Sequence, residues 1–259
     1  VQLVAKKFSK VEEYIYKHKQ VTVKEIMETF SLSESTVRRY INELLGSNSV
    51  KKEYGYVIAN SADNLVSIRE RINYLSEQKT KIAELTHRLI HDGDTIFIDS
   101  GTTHMPMASM LFKKKNLTIV TNNLLFAIKV VDSDLDTNLF MIPGNVNSKT
   151  ISVSGDLSIS YLNRFYFDIS FITASGISIE NGLSNRTLPE CEIKRQLIKR
   201  SKTTVIMADN TKYDRIFPFS FGAITDFDYL FTDKKPDQKY LTLAANSKLK
   251  IVWSEEQLK

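Results

Sequence analysis

Two groups of residues in this 259-residue chain have side chains and spacing suited to chemistry. The first is Ser33, Ser35, Thr36, Arg38, Arg39 and Asn42, followed closely by Lys51 and Lys52. Hydroxyls and lysines at such spacing fix a protein on a phosphate backbone, while arginine can read guanine edges with two hydrogen bonds. The second is Asp99-Ser100-Gly101-Thr102-Thr103, with Thr121-Asn122, Ser175-Gly176 and Asp209 to Lys212 further along. A hydroxyl-rich turn around a glycine, opening a helix, offers donors to an anion such as a phosphate.

Other chemistries find little support. The nine glycines never sit two apart, so a G-x-G-x-x-G dinucleotide loop and a Walker-type loop are both absent. Cys191 is the sole cysteine and lies between Glu190 and Glu192, which favour the thiol over the thiolate. His87 and His91 are four apart but face away from the Ile82-Leu85-Leu89 stripe and lack a local third ligand. They read as solvated surface, His18 as an exposed helix end, and His104 as either a ligand contact or a cap. The longest apolar region, Leu117 to Val131, is interrupted by Thr121, Asn122, Asn123 and Lys129, so no membrane span is expected. No catalytic residue, metal or cofactor is expected. With one cysteine and no signal-peptide pattern, the expected compartment is the cytoplasm.

The first group needs helices to present it. Phe8, Val11 and Ile15 recur at helical spacing, and Thr22-Val23-Lys24-Glu25 is a capping box that starts a second helix. Ser31-Leu32-Ser33 breaks that helix, and a third runs from about Glu34 to Leu45, closed by Gly46. Burying Val37, Ile41 and Leu44 turns Ser35, Arg38, Arg39 and Asn42 outward. Ser33 and Thr36 sit at the helix start, where free amides favour a phosphate oxygen. Val50 to Ile58 reads as two strands around a tip near Gly55, placing Lys51 and Lys52 on a hairpin. Ten basic residues stand against seven acidic ones before Asn60, within a net charge of +5 for the whole chain. Helix, turn, helix and hairpin fit a DNA groove; the alternative is a three-helix interaction module whose Arg38 and Arg39 are merely solvated.

The second group needs a sheet. From Asp94 the pattern alternates between apolar runs and helical segments. Strands are expected at Thr95 to Ile98, Leu117 to Val120, Leu139 to Ile142, Ile169 to Thr173, Thr204 to Ala208, Tyr229 to Thr232 and Leu249 to Trp253. Helices are expected at Pro106 to Phe112, Leu124 to Val131, Asp156 to Leu162 and Glu190 to Arg200. Such alternation predicts an α/β domain with a mostly parallel sheet, whose ligand crevice lies beyond the carboxyl ends of the strands. The Asp99 to Thr103 turn, Thr121-Asn122, Ser175-Gly176 and Asp209 to Lys212 all fall on that edge. Lys212 is suited to neutralising a phosphate, and Asp99 or Asp209 to accepting sugar hydroxyls. On the Asp99 to Thr103 segment alone, the simpler account is a turn with Thr102 or Thr103 capping the helix.

Phe30 to Leu44, with Ser33, Thr36, Val37, Arg38 and Arg39 in place, resembles the helix-turn-helix of the DeoR family of bacterial repressors. The resemblance continues through Asp94 to Thr103, Thr121-Asn122, Asp168 to Gly176, Ala208 to Lys212 and Thr232-Asp233. Tyr40 stands where the family usually has aspartate, and Tyr54-Gly55-Tyr56 where a Gly-Gly pair usually begins the wing. The resemblance implies a winged helix-turn-helix at 1–60, a linker at 61–78, and an α/β sugar-phosphate sensor at 79–259 with a fold like ribose-5-phosphate isomerase. It also implies that Glu190 and Lys194, on the family's acidic-basic helix, line the pocket, although an ion pair within the helix explains them more simply. Arg186 is a weaker candidate of the same kind.

The expected function is then a repressor of a carbohydrate operon, bound to double-stranded operator DNA as a homo-oligomer and controlled by a phosphorylated sugar. A sugar-phosphate isomerase is the alternative. It is disfavoured because the isomerase-like fold places an Asp-rich loop where this chain has Ala174-Ser175-Gly176-Ile177, leaving Asp99 as the remaining candidate base.

Overall fold

In the computed structural model, residues 8, 10, 11, 14, 15, 18–46, 50–59, 71, 72, 74–133 and 135–258 are described. They fall into two compact units, Val1–Glu70 and Arg71–Lys259. Most of the expected 61–78 linker lies outside the described residues.

In the first unit, strand β1 (Gln20–Thr22) leads into helix α1 (Val23–Phe30) through the expected capping box. Glu25 N donates to Thr22 Oγ1 at 3.1 Å, and the Glu25 carboxylate accepts from Thr22 N. Ser31, in the left-handed region at φ 49°, ends α1. Helix α2 (Glu34–Gly46) then buries Val37, Ile41 and Leu44 as expected, together with Tyr40. Strands β2 (Val50–Glu53) and β3 (Tyr56–Ala59) form the hairpin, with Tyr54 and Gly55 at φ 49° and 85° making the tip. Strand β1, which the sequence pattern does not reveal, adds to the far side of β3. Three residues carry no readable period; β1 forms because β3 offers its edge.

The second unit includes helix α3 (Ser76–Thr86), which carries Ile82 and Leu85 of the expected stripe, and Leu89 follows in a 3-10 turn at His87–Leu89. Its strands are β4 (Thr95–Ile98), β5 (Leu117–Thr121), β6 (Thr137–Met141), β7 (Asn145–Asn147), β8 (Ser152–Ser154), β9 (Phe167–Ile172), β10 (Gly176–Ser178), β11 (Gly182–Asn185), β12 (Ser201–Met207), β13 (Phe219–Gly222), β14 (Tyr229–Phe231) and β15 (Lys250–Val252). Its later helices are α4 (Leu124–Val131), α5 (Asp156–Leu162), α6 (Leu188–Arg200) and α7 (Gln238–Ala245). Seven strands form one parallel sheet in the order β15-β14-β12-β9-β4-β5-β6. Both faces are covered: Phe97, Ile172 and Ile206 face one core, and Ile96, Ile98 and Phe171 the other. That is why these strands read as unbroken apolar runs. From β4 the order runs one way to β5 and β6 and the other way to β9 and beyond, so the topological switch point lies between β4 and β9. A small antiparallel sheet, β10-β11-β13, and the hairpin β7-β8 are additions the sequence pattern does not show.

The helix expected at Pro106 to Phe112 is instead two 3-10 segments, Thr102–Ser109 and Leu111–Lys113. Pro106 lies inside the first, where an α-helix would lose a hydrogen bond and press the ring on the preceding carbonyl. His104, in that segment, neither caps it nor reaches the surface. It is wholly buried and neither ring nitrogen has a hydrogen-bond partner. Burial pushes its pKa down to about 4; Asp99 opposes this and Lys194 reinforces it. The folded state thus resists a proton that the unfolded chain accepts below about pH 6.5. The stability tied to a neutral His104 is complete above pH 6.5 and is lost as pH falls through 4. Thermal unfolding measured between pH 7 and pH 4 should show a shallower decline for His104→Phe than for the parent. Parallel declines would contradict this account of the buried imidazole.

Candidate functional site

Each parallel strand ends on the same edge of the sheet, and the polar residues singled out above follow those ends. Asp99 follows β4, Asn122 follows β5, Thr173 and Ser175 follow β9, and Asp209 follows β12. At the switch point Asp99 is 1% exposed and its Oδ2 is bound by the Lys194 ammonium, which comes from α6 and has no exposed surface. Thr173 N also donates to Oδ2, at 3.2 Å, and Asn122 Nδ2 lies 3.4 Å from Oδ1. Lys194 projects from the face of α6 that also buries Cys191 and Leu197, with its Nζ 5.5 Å from the Phe221 ring centre. The pair thus ties β4, β5, β9 and α6 together.

This arrangement corrects two expectations. Glu190 and Lys194 do not pair within the helix: Glu190 Oε2 accepts from Asn185 Nδ2 at 3.0 Å, while Lys194 spans the sheet edge to Asp99. Asp99 in turn is neither an open acceptor for a sugar hydroxyl nor a free base, because its carboxylate is already occupied by Lys194 and Thr173.

The turn after Asp99 keeps its donors at the edge. Ser100, Thr102 and Thr103 are 8%, 7% and 6% exposed, nearly buried at that edge. Gly101 has φ 150°, and a Cβ there would meet Thr173 Oγ1 at 2.8 Å, so only glycine fits this approach of β4 to β9. The turn opens a 3-10 segment rather than the expected α-helix, so its amides carry less of a macrodipole. Asn122 is 1% exposed, and its Oδ1 is buried without a partner.

Thr121 is a third correction. Its hydroxyl donates to Ile98 O at 2.6 Å and accepts from Asn123 N at 3.0 Å, so it holds the strand end instead of facing the crevice. Ser175 N is held by Asn185 Oδ1 at 2.9 Å and by Ser184 O at 3.0 Å. Gly176 is the first residue of β10, where a Cβ would lie 2.4 Å from Arg215 O.

Asp209 is largely consumed in place too. It caps the turn at Asn210–Lys212, accepting from Thr211 N at 2.9 Å and from the Thr211 hydroxyl, with Lys212 Nζ 4.0 Å away. Burial raises its pKa, but Lys212 and the Thr211 donors outweigh that and hold it below the usual carboxylate range. Lys212 is half-buried; burial depresses its ammonium pKa, Asp209 opposes, and Arg215, Arg71 and Arg186 depress it further. Arg186 also lies over the Phe217 ring at 4.4 Å. The sequence pattern shows Thr173 only as the end of the strand at Ile169 to Thr173 and gives no signal for Asn185. The Cys191 thiol is raised mainly by burial rather than by its acidic neighbours.

In the first unit, Ser33 caps α2, with Thr36 N 3.4 Å from Ser33 Oγ and the Ser35 and Thr36 hydroxyls within 3.1 Å. Ser35, Arg38, Arg39 and Asn42 are exposed. Arg38 pairs with Glu34 at 2.6 Å and Lys51 with Glu53 at 2.8 Å, so both must exchange partners to meet a phosphate. Arg39 lies over the Tyr40 ring at 5.4 Å, and Tyr40 turns inward against Phe8. Lys52 is exposed on β2.

No described helix is long and apolar enough to cross a membrane. Two family models match the chain: the DeoR-like helix-turn-helix domain over residues 9–63 and the DeoR C terminal sensor domain over residues 75–234. The HTH-type transcriptional regulator IolR of Bacillus subtilis is 32% identical over 234 residues, covering 90% of this chain and 93% of its own. The glycerol-3-phosphate regulon repressor of Escherichia coli is 29% identical, covering 86% and 88%. Among solved structures, ribose 5-phosphate isomerase A of Methanocaldococcus jannaschii superposes with a TM-score of 0.39 at 14% identity, covering 53% of this chain and 54% of that one, a likeness too distant to bear on function. The matched helix-turn-helix and sensor models, and a relative aligned over nearly its full length, place this chain in the DeoR family of transcriptional regulators.

Proposed function

We propose that this chain is a cytoplasmic repressor of a carbohydrate regulon that binds operator DNA as a homo-oligomer and is controlled by a phosphorylated sugar. The observation that supports the effector half is that Ser100, Thr102 and Thr103 follow β4 at the switch point, with Asn122 after β5 and Lys212 after β12 on the same edge of the sheet. Hydroxyl and amide groups there suit sugar hydroxyls and phosphate oxygens, and Lys212 supplies a positive charge. Thr121, Asp99, Lys194, Ser175, Gly176, Glu190 and Asp209 act one step back, by holding the strand ends and loops that carry those donors. A relative named as a repressor of the glycerol-3-phosphate regulon supports an effector with a phosphate on a small polyol. The commitment of Asp99 to Lys194 supports binding without turnover.

For DNA, Arg39 and Asn42 are assigned to base edges, and Ser33, Ser35, Thr36, Arg38, Lys51 and Lys52 to the phosphate backbone. Operators with two-fold symmetry call for at least a dimer. A duplex selected from a random library by the full chain gives the test ligand. Arg39→Ala should weaken binding to that duplex by about 1–3 kcal/mol at fixed salt. Lys52→Ala should weaken binding evenly across sequences and reduce the salt slope by about one. Parental specific affinity in Arg39→Ala would overturn the recognition-helix assignment. For the sensor, a panel of sugar phosphates is screened for thermal stabilisation and for an effect on that duplex. Lys212→Ala and Thr102→Ala should blunt the effector response while leaving unliganded DNA affinity near the parent's. Full response in both variants would sink the pocket assignment.

A further inference from the structure

The seven-stranded sheet ends differently on its two sides. At one end, the short strand β15 starts with the exposed Lys250, whose Nζ is 5.9 Å from the Tyr229 ring centre. The chain then returns against β15 as a 3-10 turn at Glu255–Leu258. A short strand, a lysine and a covering turn are devices that keep an edge from pairing with another molecule. At the other end β6 has none of them. It runs Thr137-Asn138-Leu139-Phe140-Met141 without a charge or a proline, and among the described residues only β5 pairs with it. Ile142 N donates inward to Thr121 O at 3.0 Å. Backbone groups of successive strand residues turn to alternate sides, so Thr137, Leu139 and Met141 present theirs outward, away from β5.

The surface beside that edge is apolar. Helix α4 packs over β5 and β6. On its inner flank Lys129 Nζ reaches Met105 O at 3.3 Å, in the 3-10 segment after β4. Val131, two residues on, falls on the opposite flank, with Ile128 at the crest; they are 67% and 56% exposed. On the other face of β6, Phe140 is exposed at the rim with its ring centre 5.6 Å from that of Phe165. Outward backbone groups between exposed apolar side chains are the makings of an interface.

Resting on the homo-oligomer reading above, we infer that two copies of this chain join β6 to β6 about a two-fold axis, merging their sheets and packing α4 of one copy against α4 of the other. Pairing a strand with itself about an axis perpendicular to the sheet is antiparallel and keeps each face with its like. Centred on Leu139, it sets Leu139 against its own symmetry mate and Thr137 against Met141 of the second copy. Each such pair exchanges two hydrogen bonds through the outward backbone groups. Strands in a sheet lie about 4.8 Å apart, so helices placed over β5 and β6 stand about 10 Å from each other across the axis. That is the distance at which helices pack, and Ile128 and Val131 fill the seam. No like charges meet along β6, and the exposed Asp132 and Asp136 that precede it fall at opposite ends of the pair. The resulting dimer has the symmetry of a two-fold operator.

The test uses the full chain without ligand. Sedimentation equilibrium of the parent at micromolar concentration should show a dimer or a multiple of one. Val131→Lys should raise the dissociation constant about tenfold or more, the effect of an unpaired charge in an apolar seam. Asn138 and Phe140 of facing copies form a pair without mutual hydrogen bonds, where side chains stand nearest. Copies bearing Asn138→Cys, mixed under reducing conditions with copies bearing Phe140→Cys and then oxidised, should give a disulfide-linked dimer that neither gives alone. An unlinked mixture, or parental association in Val131→Lys, overturns the β6 seam and leaves the homo-oligomer to form elsewhere. A parent that is monomeric at every concentration removes both. The cross-link reads the register even if Val131→Lys misfolds.

Discussion

The buried ion pair between Asp99 and Lys194 is the constraint on which the rest of the sensor unit depends. Two charges with almost no exposed surface are tolerated only when each satisfies the other and further donors complete the set. Here Thr173 N and Asn122 Nδ2 complete it, so the pair cannot form unless β4, β5, β9 and α6 are all in register. Removing one partner alone would leave a stranded charge, at a cost of about 3–5 kcal/mol in typical cases. The same bonds that fix the edge remove Asp99 from chemistry. A carboxylate already clamped by an ammonium and a backbone amide does not take a proton from a sugar carbon, in keeping with the proposed role in binding alone.

Beyond that neutralised centre, burial and then Arg215, Arg71 and Arg186 all act to lower the Lys212 pKa, against Asp209. On the proposed reading, a phosphate meets Lys212, and the hydroxyls of Ser100, Thr102 and Thr103 meet the sugar attached to it. In the other unit the logic is simpler: a small core around Val37, Ile41 and Leu44 turns one face of α2 outward, and that face carries the donors. Coupling the two requires that the effector bind the DNA-competent and incompetent arrangements unequally, by about 1–3 kcal/mol in typical regulators.

The parallel sheet was legible because each strand is buried on both faces and reads as a continuous apolar run. The recognition helix was legible because its period and its caps agree. What escaped notice did so for physical reasons. The segment expected as a helix from Pro106 to Phe112 forms 3-10 turns, a change that periodicity does not report. Strands β10, β11 and β13 are three or four residues long with one or two apolar side chains each, so Asn185 and Ser184 gave no strand signal. Lys194 offered a clue: an ionisable residue on the same helical face as Cys191 and Leu197 must have a partner in the core. Sequence proximity pointed to Glu190, whereas the actual partner lies 95 positions away, at the end of β4. Thr121 looked like a ligand donor and is a strand-end brace, a distinction that only the positions of Ile98 O and Asn123 N can make.

The most direct measurement is a crystal structure of the full chain soaked with the sugar phosphate that most raises its melting temperature. The account requires difference density beyond the carboxyl ends of β4, β5, β9 and β12, with the phosphate within hydrogen-bond distance of Lys212 and the Asp99–Lys194 pair intact beneath it. Density for the ligand on any other face of the sensor unit, or a ligand that displaces Lys194 from Asp99, would contradict it.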